Sequence, residues 1–125
     1  MTINNPALYM QGIWDWAILD GCFGTTRIKP TDVDGLVERN GMFLVLETKA
    51  PGAHLPEGQA ITFKALVRKA GAVVIVVWGE QNRVQKTKVF SRKYPDGLEE
   101  TANNDRLREL VSGWFAMANA QKDTP

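Results

Sequence analysis

The chain has 125 residues, 44% of them hydrophobic and 23% charged, with a formal net charge of +1 at pH 7. That length predicts one domain with its own core and no second domain, and the composition excludes a disordered or fibrous chain. A net charge so close to zero also excludes the strongly basic balance by which most nucleic-acid binders announce themselves.

No apolar run approaches the roughly 20 residues needed to cross a bilayer. The N-terminus lacks the basic and then apolar order of a signal peptide, so a cytoplasmic location is expected. The first element in chain order is a helix from Pro6 to about Leu19, with Leu8, Ile13, Trp14, Ala17 and Ile18 on one side, Asn5 as N-cap and Gly21 and Gly24 as stops. Cys22 is the single cysteine and cannot close an internal disulfide. It reads as a buried or half-buried small apolar residue rather than a nucleophile.

After Pro30, residues Thr31 to Arg39 read as a strand, Asn40-Gly41 as a tight turn and Met42 to Lys49 as a second strand. Asn-Gly tolerates the positive φ angles of a type I′ turn, so a two-residue hairpin is expected. A loop through Pro51 and Gly52 leads to a helix from Pro56 or Glu57 to Ala70, stopped by Gly71. Its apolar positions are Ile61, Phe63, Ala65, Leu66 and Val67, which leaves Lys64, Arg68 and Lys69 on a wetter side. The β-branched run Ala72 to Trp78 has the pattern of a strand buried on both faces, joined to the previous strand by a helical crossover.

A further strand is expected over Val84 to Tyr94, and a terminal helix over Asp105 to Ala120 with Leu107, Leu110, Val111, Trp114 and Phe115 facing inward. Arg83, Lys86, Lys88, Arg92 and Lys93 make a local basic segment, whereas Glu99, Glu100, Asp105 and Glu109 gather further on. The basic segment reads either as a lysine-protected strand edge or as a set of phosphate contacts.

In the expected hairpin, residues equidistant from the turn oppose one another, which sets Asp34 opposite Glu47 and Asp32 opposite Lys49. Side chains two apart on a strand share a face, so acids and a lysine converge on one patch. Opposed β-carbons lie about 4.5 to 5.5 Å apart, and two like charges near 4 Å repel by about 4 kcal/mol at an effective dielectric of 20. Either a surface ion-pair ladder with Lys49, Arg27 or Lys29 relieves that repulsion, or a hard divalent cation with oxygen ligands does.

Asp34 followed by Glu47-Thr48-Lys49 resembles the signature of the PD-(D/E)XK nuclease superfamily. The continuation Ala50-Pro51-Gly52, then Leu55, Gln59, a helix ending at Gly71 and a hydrophobic strand, is similar to its VRR-NUC, Holliday-junction-resolvase-like branch. The similarity spans approximately Pro30 to Trp78. It implies an α/β (α+β mixed) fold, a central mixed β-sheet flanked by helices with a restriction-endonuclease-like core in the order αβββαβ. It implies a Mg²⁺- or Mn²⁺-dependent deoxyribonuclease that hydrolyses DNA phosphodiester bonds, with a structure-specific endonuclease as one form, in a bacterium or bacteriophage.

On that resemblance Asp34, Glu47 and the Thr48 backbone carbonyl hold the metal, Asp32 is a further ligand or a partner of Lys49, Lys49 is catalytic and Gln59 is an auxiliary site residue. Lys64, Arg68, Lys86 and Lys88 are the expected nucleic-acid contacts, and a homodimer is the expected assembly. Two departures from the pattern stand out. No glutamate precedes Glu38 to match the family's first-helix glutamate, and Asp15 or Asp20 is either its substitute or an ordinary solvent-facing residue. Asp32 also competes with Asp34 for the place of first acid. The alternative function is a catalytically inactive nuclease-fold module that binds nucleic acid or a protein partner. His54 reads as a plain loop residue, and Trp14, Trp16, Trp78 and Trp114 as core packing rather than base-stacking platforms.

Overall fold

The computed structural model describes residues 14–122. The chain divides into two compact units between Thr31 and Asp32, and the candidate site lies wholly in the second.

In the first unit, the expected helix falls partly outside the described residues. Within them it is only a three-residue 3-10 turn, Ala17–Leu19, entered by Trp16 with a left-handed φ of 63°. Asp15 accepts a hydrogen bond from the Ala17 N–H at 2.9 Å, so its carboxylate caps this turn. None of the described residues in this unit is buried: Trp14 is 66% and Trp16 42% exposed, and Cys22 is exposed too. The expectation of packed tryptophans and a sheltered cysteine therefore fails here, because no core forms within residues 14–31 for them to enter.

The second unit is a five-stranded sheet in the order β1-β2-β3-β4-β5. The strands are β1 (Gly35–Arg39), β2 (Met42–Lys49), β3 (Val73–Glu80), β4 (Arg83–Phe90) and β5 (Leu98–Thr101). Helix α1 (Glu57–Ala70) joins β2 to β3, which pair in parallel, and α2 (Asn104–Asn119) follows β5; every other strand pair is antiparallel. This is the expected mixed sheet flanked by helices. Two strands precede the crossover helix and three follow it, a different distribution from αβββαβ.

The Asn-Gly turn forms as its chemistry demands, with φ of 51° at Asn40 and 78° at Gly41. Asn40 Nδ2 also donates to the carbonyls of Ala118 at 3.2 Å and Gln121 at 2.9 Å, which ties the hairpin to the end of α2. Alternation along β3 then splits the core. Val74, Val76 and Trp78 join Val45, Phe63, Val67 and Phe90 under α1, while Ile75 and Val77 join Leu44, Trp114 and Ala118 under α2. Both faces are thus covered, as the β-branched run predicts.

Phe115 departs from its expected place, being 47% exposed, because Trp114 takes the inward position beside it. β5 has no counterpart among the expected strands. Its Leu98-Glu-Glu-Thr sequence is short and acidic, and its pairing comes from β4, where Lys88 opposes Glu99 and Lys86 forms an ion pair with Glu99 at 3.4 Å. Among the described residues no helix is long and apolar enough to cross a membrane.

Replacing Asn40 by alanine removes these carbonyl contacts and leaves in left-handed backbone a residue without the polar side chain that makes asparagine tolerated there. We expect a loss of about 2 kcal/mol in unfolding free energy by denaturant titration, with Asn40→Gly losing less.

Candidate metal and catalytic site

The site is assembled at the end of the hairpin and the start of α1. From the turn outward, β1 and β2 keep their register from Arg39↔Met42 to Gly35↔Leu46, and then the pattern breaks. The Asp34 N–H donates to the Leu46 carbonyl at 3.2 Å, at the level already taken by Gly35. Direct opposition of Asp34 and Glu47 is therefore not part of the ladder. Instead one Asp34 oxygen, Oδ2, accepts both the Thr48 N–H at 2.7 Å and the Thr48 hydroxyl at 2.9 Å. A strand residue sends its N–H and its C=O to the same side, so the Thr48 carbonyl leaves β2 towards Asp34, past the last pair of the ladder.

Glu47 lies on the α1 face of β2 and is only 5% exposed. Its pKa is raised from the ordinary value, first by burial and then by the negative charge of Asp34. The Gln59 amide and Lys49 pull it down, and a hydrogen bond with Asp34 pushes it up. The two carboxyl groups are therefore close neighbours despite the broken register. Lys49 Nζ stands 3.6 Å from Glu47 Oε1. Glu47 Oε2 and Gln59 Oε1 are both buried without a hydrogen-bond partner among the described residues. Two orphaned acceptors beside a pair of neighbouring carboxylates are the surroundings a small hard cation would satisfy.

The residues thus fit a cation held by oxygen. Asp34, Glu47 and the Thr48 carbonyl would form its core, with Gln59 Oε1 beside Glu47. Among the described residues no three histidine, cysteine, aspartate or glutamate side chains are placed to hold one metal ion together, so carbonyl oxygens would have to complete the set.

Asp32 is not brought in. It is exposed and precedes the first ladder pair, and Lys49, its expected partner, is paired with Glu47 instead. The ladder ends before it because Asp34 turns its carboxylate onto Thr48. Asp20 and Asp15 belong to the first unit, and His54 is exposed in the loop before α1.

Sheet register extends the site across the α1 face. Glu47 pairs with Val76 and Val76 with Lys88; Lys49 pairs with Trp78 and Trp78 with Lys86. With strands about 4.8 Å apart, these lysines stand two strands, or about 10 Å, from the candidate metal ligands. Lys86 Nζ lies 4.2 Å from the Trp78 ring centre, and the indole N–H donates to the Ala53 carbonyl at 2.7 Å, pinning the loop between β2 and α1. Lys86 and Lys64 both have acidic partners, Glu99 at 3.4 Å and Asp96 at 3.6 Å, which dilutes their charge. On the opposite face of the same strand ends, a cavity of about 640 Å³ is lined by Leu46, Val77, Val84 and Leu107.

Of the expected site residues, Asp34, Glu47, Lys49 and Gln59 come together and Asp32 does not; the Thr48 hydroxyl that orients Asp34 was not among the expectations. A threonine between an acid and a lysine on a strand was the available signal. Compared with protein-family models, with curated proteins and with solved structures, the chain matches none.

The raised Glu47 pKa carries a stability consequence of definite sign. The protonated form is favoured in the fold, so its contribution is fully present below the unfolded value near 4.5 and is lost as pH rises through the folded value. In chelator, Glu47→Gln should melt higher than wild type at pH 7, and the difference should vanish as the pH approaches 4; thermal melts across that range check this.

Proposed function

We propose that this protein is a metal-dependent nuclease that hydrolyses DNA phosphodiester bonds. The observation that carries the reading is the pair of orphaned acceptors, Glu47 Oε2 and Gln59 Oε1, buried beside the Asp34 carboxylate and the Lys49 ammonium. The contact of Lys49 with Glu47 Oε1 leaves both acceptors without a donor, whereas a cation at this place would satisfy them.

Asp34, Glu47 and the Thr48 carbonyl are the residues that would hold Mg²⁺ or Mn²⁺, with Gln59 as a further oxygen donor. When bound, the ion supplies Lewis acidity and positive charge at the phosphoryl group. The chain supplies the rest. Thr48 fixes the direction of Asp34 through two hydrogen bonds. Burial under α1 excludes water from Glu47 and strengthens its interactions. Lys49, held beside Glu47, carries three donors for the attacking water and for the phosphoryl oxygens as negative charge builds on them. Water attack forms one P–O bond, and the bond to the leaving sugar oxygen breaks.

Lys86 and Lys88 lie in the strand rows that contain Lys49 and Glu47. A phosphodiester chain passing over the site would meet them next. Lys64 and Arg68 flank the same face from α1. These contacts supply local positive charge that a net charge of +1 conceals.

The rival reading is an inactive module that binds nucleic acid or a protein. It is favoured by the Lys49–Glu47 contact, which partly neutralises the acid without a metal. Metal titration separates the two: a cation site gains about 2.7 kcal/mol at a hundredfold excess of Mg²⁺ over its dissociation constant, and an inactive module gains nothing.

Cleavage of supercoiled, linear, single-stranded and branched DNA in Mg²⁺ tests the activity. Asp34→Ala, Glu47→Ala and Lys49→Ala should each lower the rate by roughly a hundredfold or more, with Gln59→Ala losing less. Equal rates in wild type and these variants would remove the assignment.

A further inference from the structure

A second cluster of cations lies along the same face, away from the catalytic carboxylates. Lys64 and Arg68 project from α1, and Arg92 follows the end of β4; with Val67, Pro95 and Asp96 they line a cavity of about 320 Å³. Its charge is unbalanced. Lys64 has the exposed Asp96 as partner at 3.6 Å, but among the described residues neither Arg68 nor Arg92 forms an ion pair.

Arg92 is placed rather than free. Gly71 closes α1 in left-handed backbone, φ 66°, and a β-carbon there would stand 3.3 Å from Arg92 Nη2. The guanidinium thus lies against the carboxyl end of α1, where the helix carbonyls favour a cation. A guanidinium has five donors in a fixed fork, so contact with the helix end leaves others for a ligand. Glycine at position 71 suits both the left-handed backbone and the close approach of this guanidinium.

Distance along the helix fixes what such a cavity can take. Arg68 is nine residues beyond Gln59, about 14 Å at 1.5 Å per residue. A stacked nucleic-acid strand covers that span in roughly four steps of 3.4 Å. On the same face β4 presents Lys88 and Lys86, level with Glu47 and Lys49. Cations thus stand both beside the carboxylate cluster and at this cavity, a spacing that a single phosphodiester strand can bridge.

We propose that Lys64, Arg68 and Arg92 form a phosphate-binding notch that holds a nucleic-acid strand roughly four nucleotides from the bond to be cut. The inference rests on the nuclease reading for its substrate, but its test does not use cleavage. Binding of fluorescein-labelled single-stranded DNA to the full chain is followed by anisotropy in chelator, over a series of chloride concentrations. The comparison is between wild type, the double variant Arg68→Gln/Arg92→Gln, and Arg83→Gln, which removes an exposed arginine from the first position of β4, where it pairs with Glu80 at 3.7 Å.

Loss of two phosphate contacts should reduce the slope of log affinity against log salt by about 1.4, at 0.7 per contact for a single strand. Affinity at low salt should fall roughly tenfold, Arg83→Gln should keep the wild-type slope, and Arg68→Lys/Arg92→Lys should keep most of the binding. Thermal melts check that each variant is folded.

Three results would overturn the notch: no binding by wild type, an unchanged slope in the double variant, or an equal loss in Arg83→Gln. A fourth is a melting shift by inorganic phosphate at matched ionic strength, dependent on Arg68 and Arg92, without oligonucleotide binding; the ligand would then be free phosphate. DNA bound as expected and never cleaved leaves the notch and removes the nuclease reading, whereas cleavage with an unchanged slope does the reverse.

Discussion

Glu47 is 5% exposed on a strand whose same-face neighbour is Val45 and whose cover is α1, and a carboxylate there survives only if its surroundings offset the lost hydration. Burial and Asp34 both raise its pKa, and only Gln59 and Lys49 oppose them. The balance left by these groups is poor, with one oxygen of Glu47 and one of Gln59 unsatisfied. Everything else at the end of the hairpin follows from holding this group in place. Thr48 directs Asp34 towards it, Trp78 anchors the loop that precedes α1, and α1 brings Gln59 over it. Such an arrangement costs stability in the absence of a ligand, which is the usual mark of a site kept for what it binds.

The same constraint explains the two-faced design of β2. Alternation sends Glu47 and Lys49 under α1 while Leu44 and Leu46 pack beneath α2. A slip of one residue would exchange the sets and bury leucine where the carboxylate belongs. The left-handed turn at Asn40-Gly41 prevents that slip, and the parallel partner β3, buried on both faces, holds β2 from the other side.

Elements with strong local chemistry are legible in the sequence alone. The Asn-Gly turn, the limits of β2 and the crossover helix ending at Gly71 fall where composition and periodicity put them. Residues whose placement depends on distant partners were not. β5 exists because Lys86 and Lys88 draw Glu99 alongside, a pairing no window of local sequence contains. Asp34 breaks the hairpin register because its carboxylate binds the Thr48 N–H more favourably than it can face a second acid. Asp32 is left out of the cluster for the same reason. Over Pro6 to Leu19 the apolar pattern promised a helix with a buried side, yet in its described part Trp14 and Ile18 stay exposed, since periodicity identifies a face without supplying what it packs on.

The claim on which this account stands is that a divalent cation occupies the space between Asp34 and Glu47. Anomalous diffraction from a crystal grown with Mn²⁺ measures it directly. The account predicts a peak within coordination distance, about 2.0 to 2.3 Å, of oxygens from Asp34, Glu47 and the Thr48 carbonyl. A fully occupied lattice with manganese elsewhere on the surface, and Glu47 paired with Lys49 alone, would contradict it.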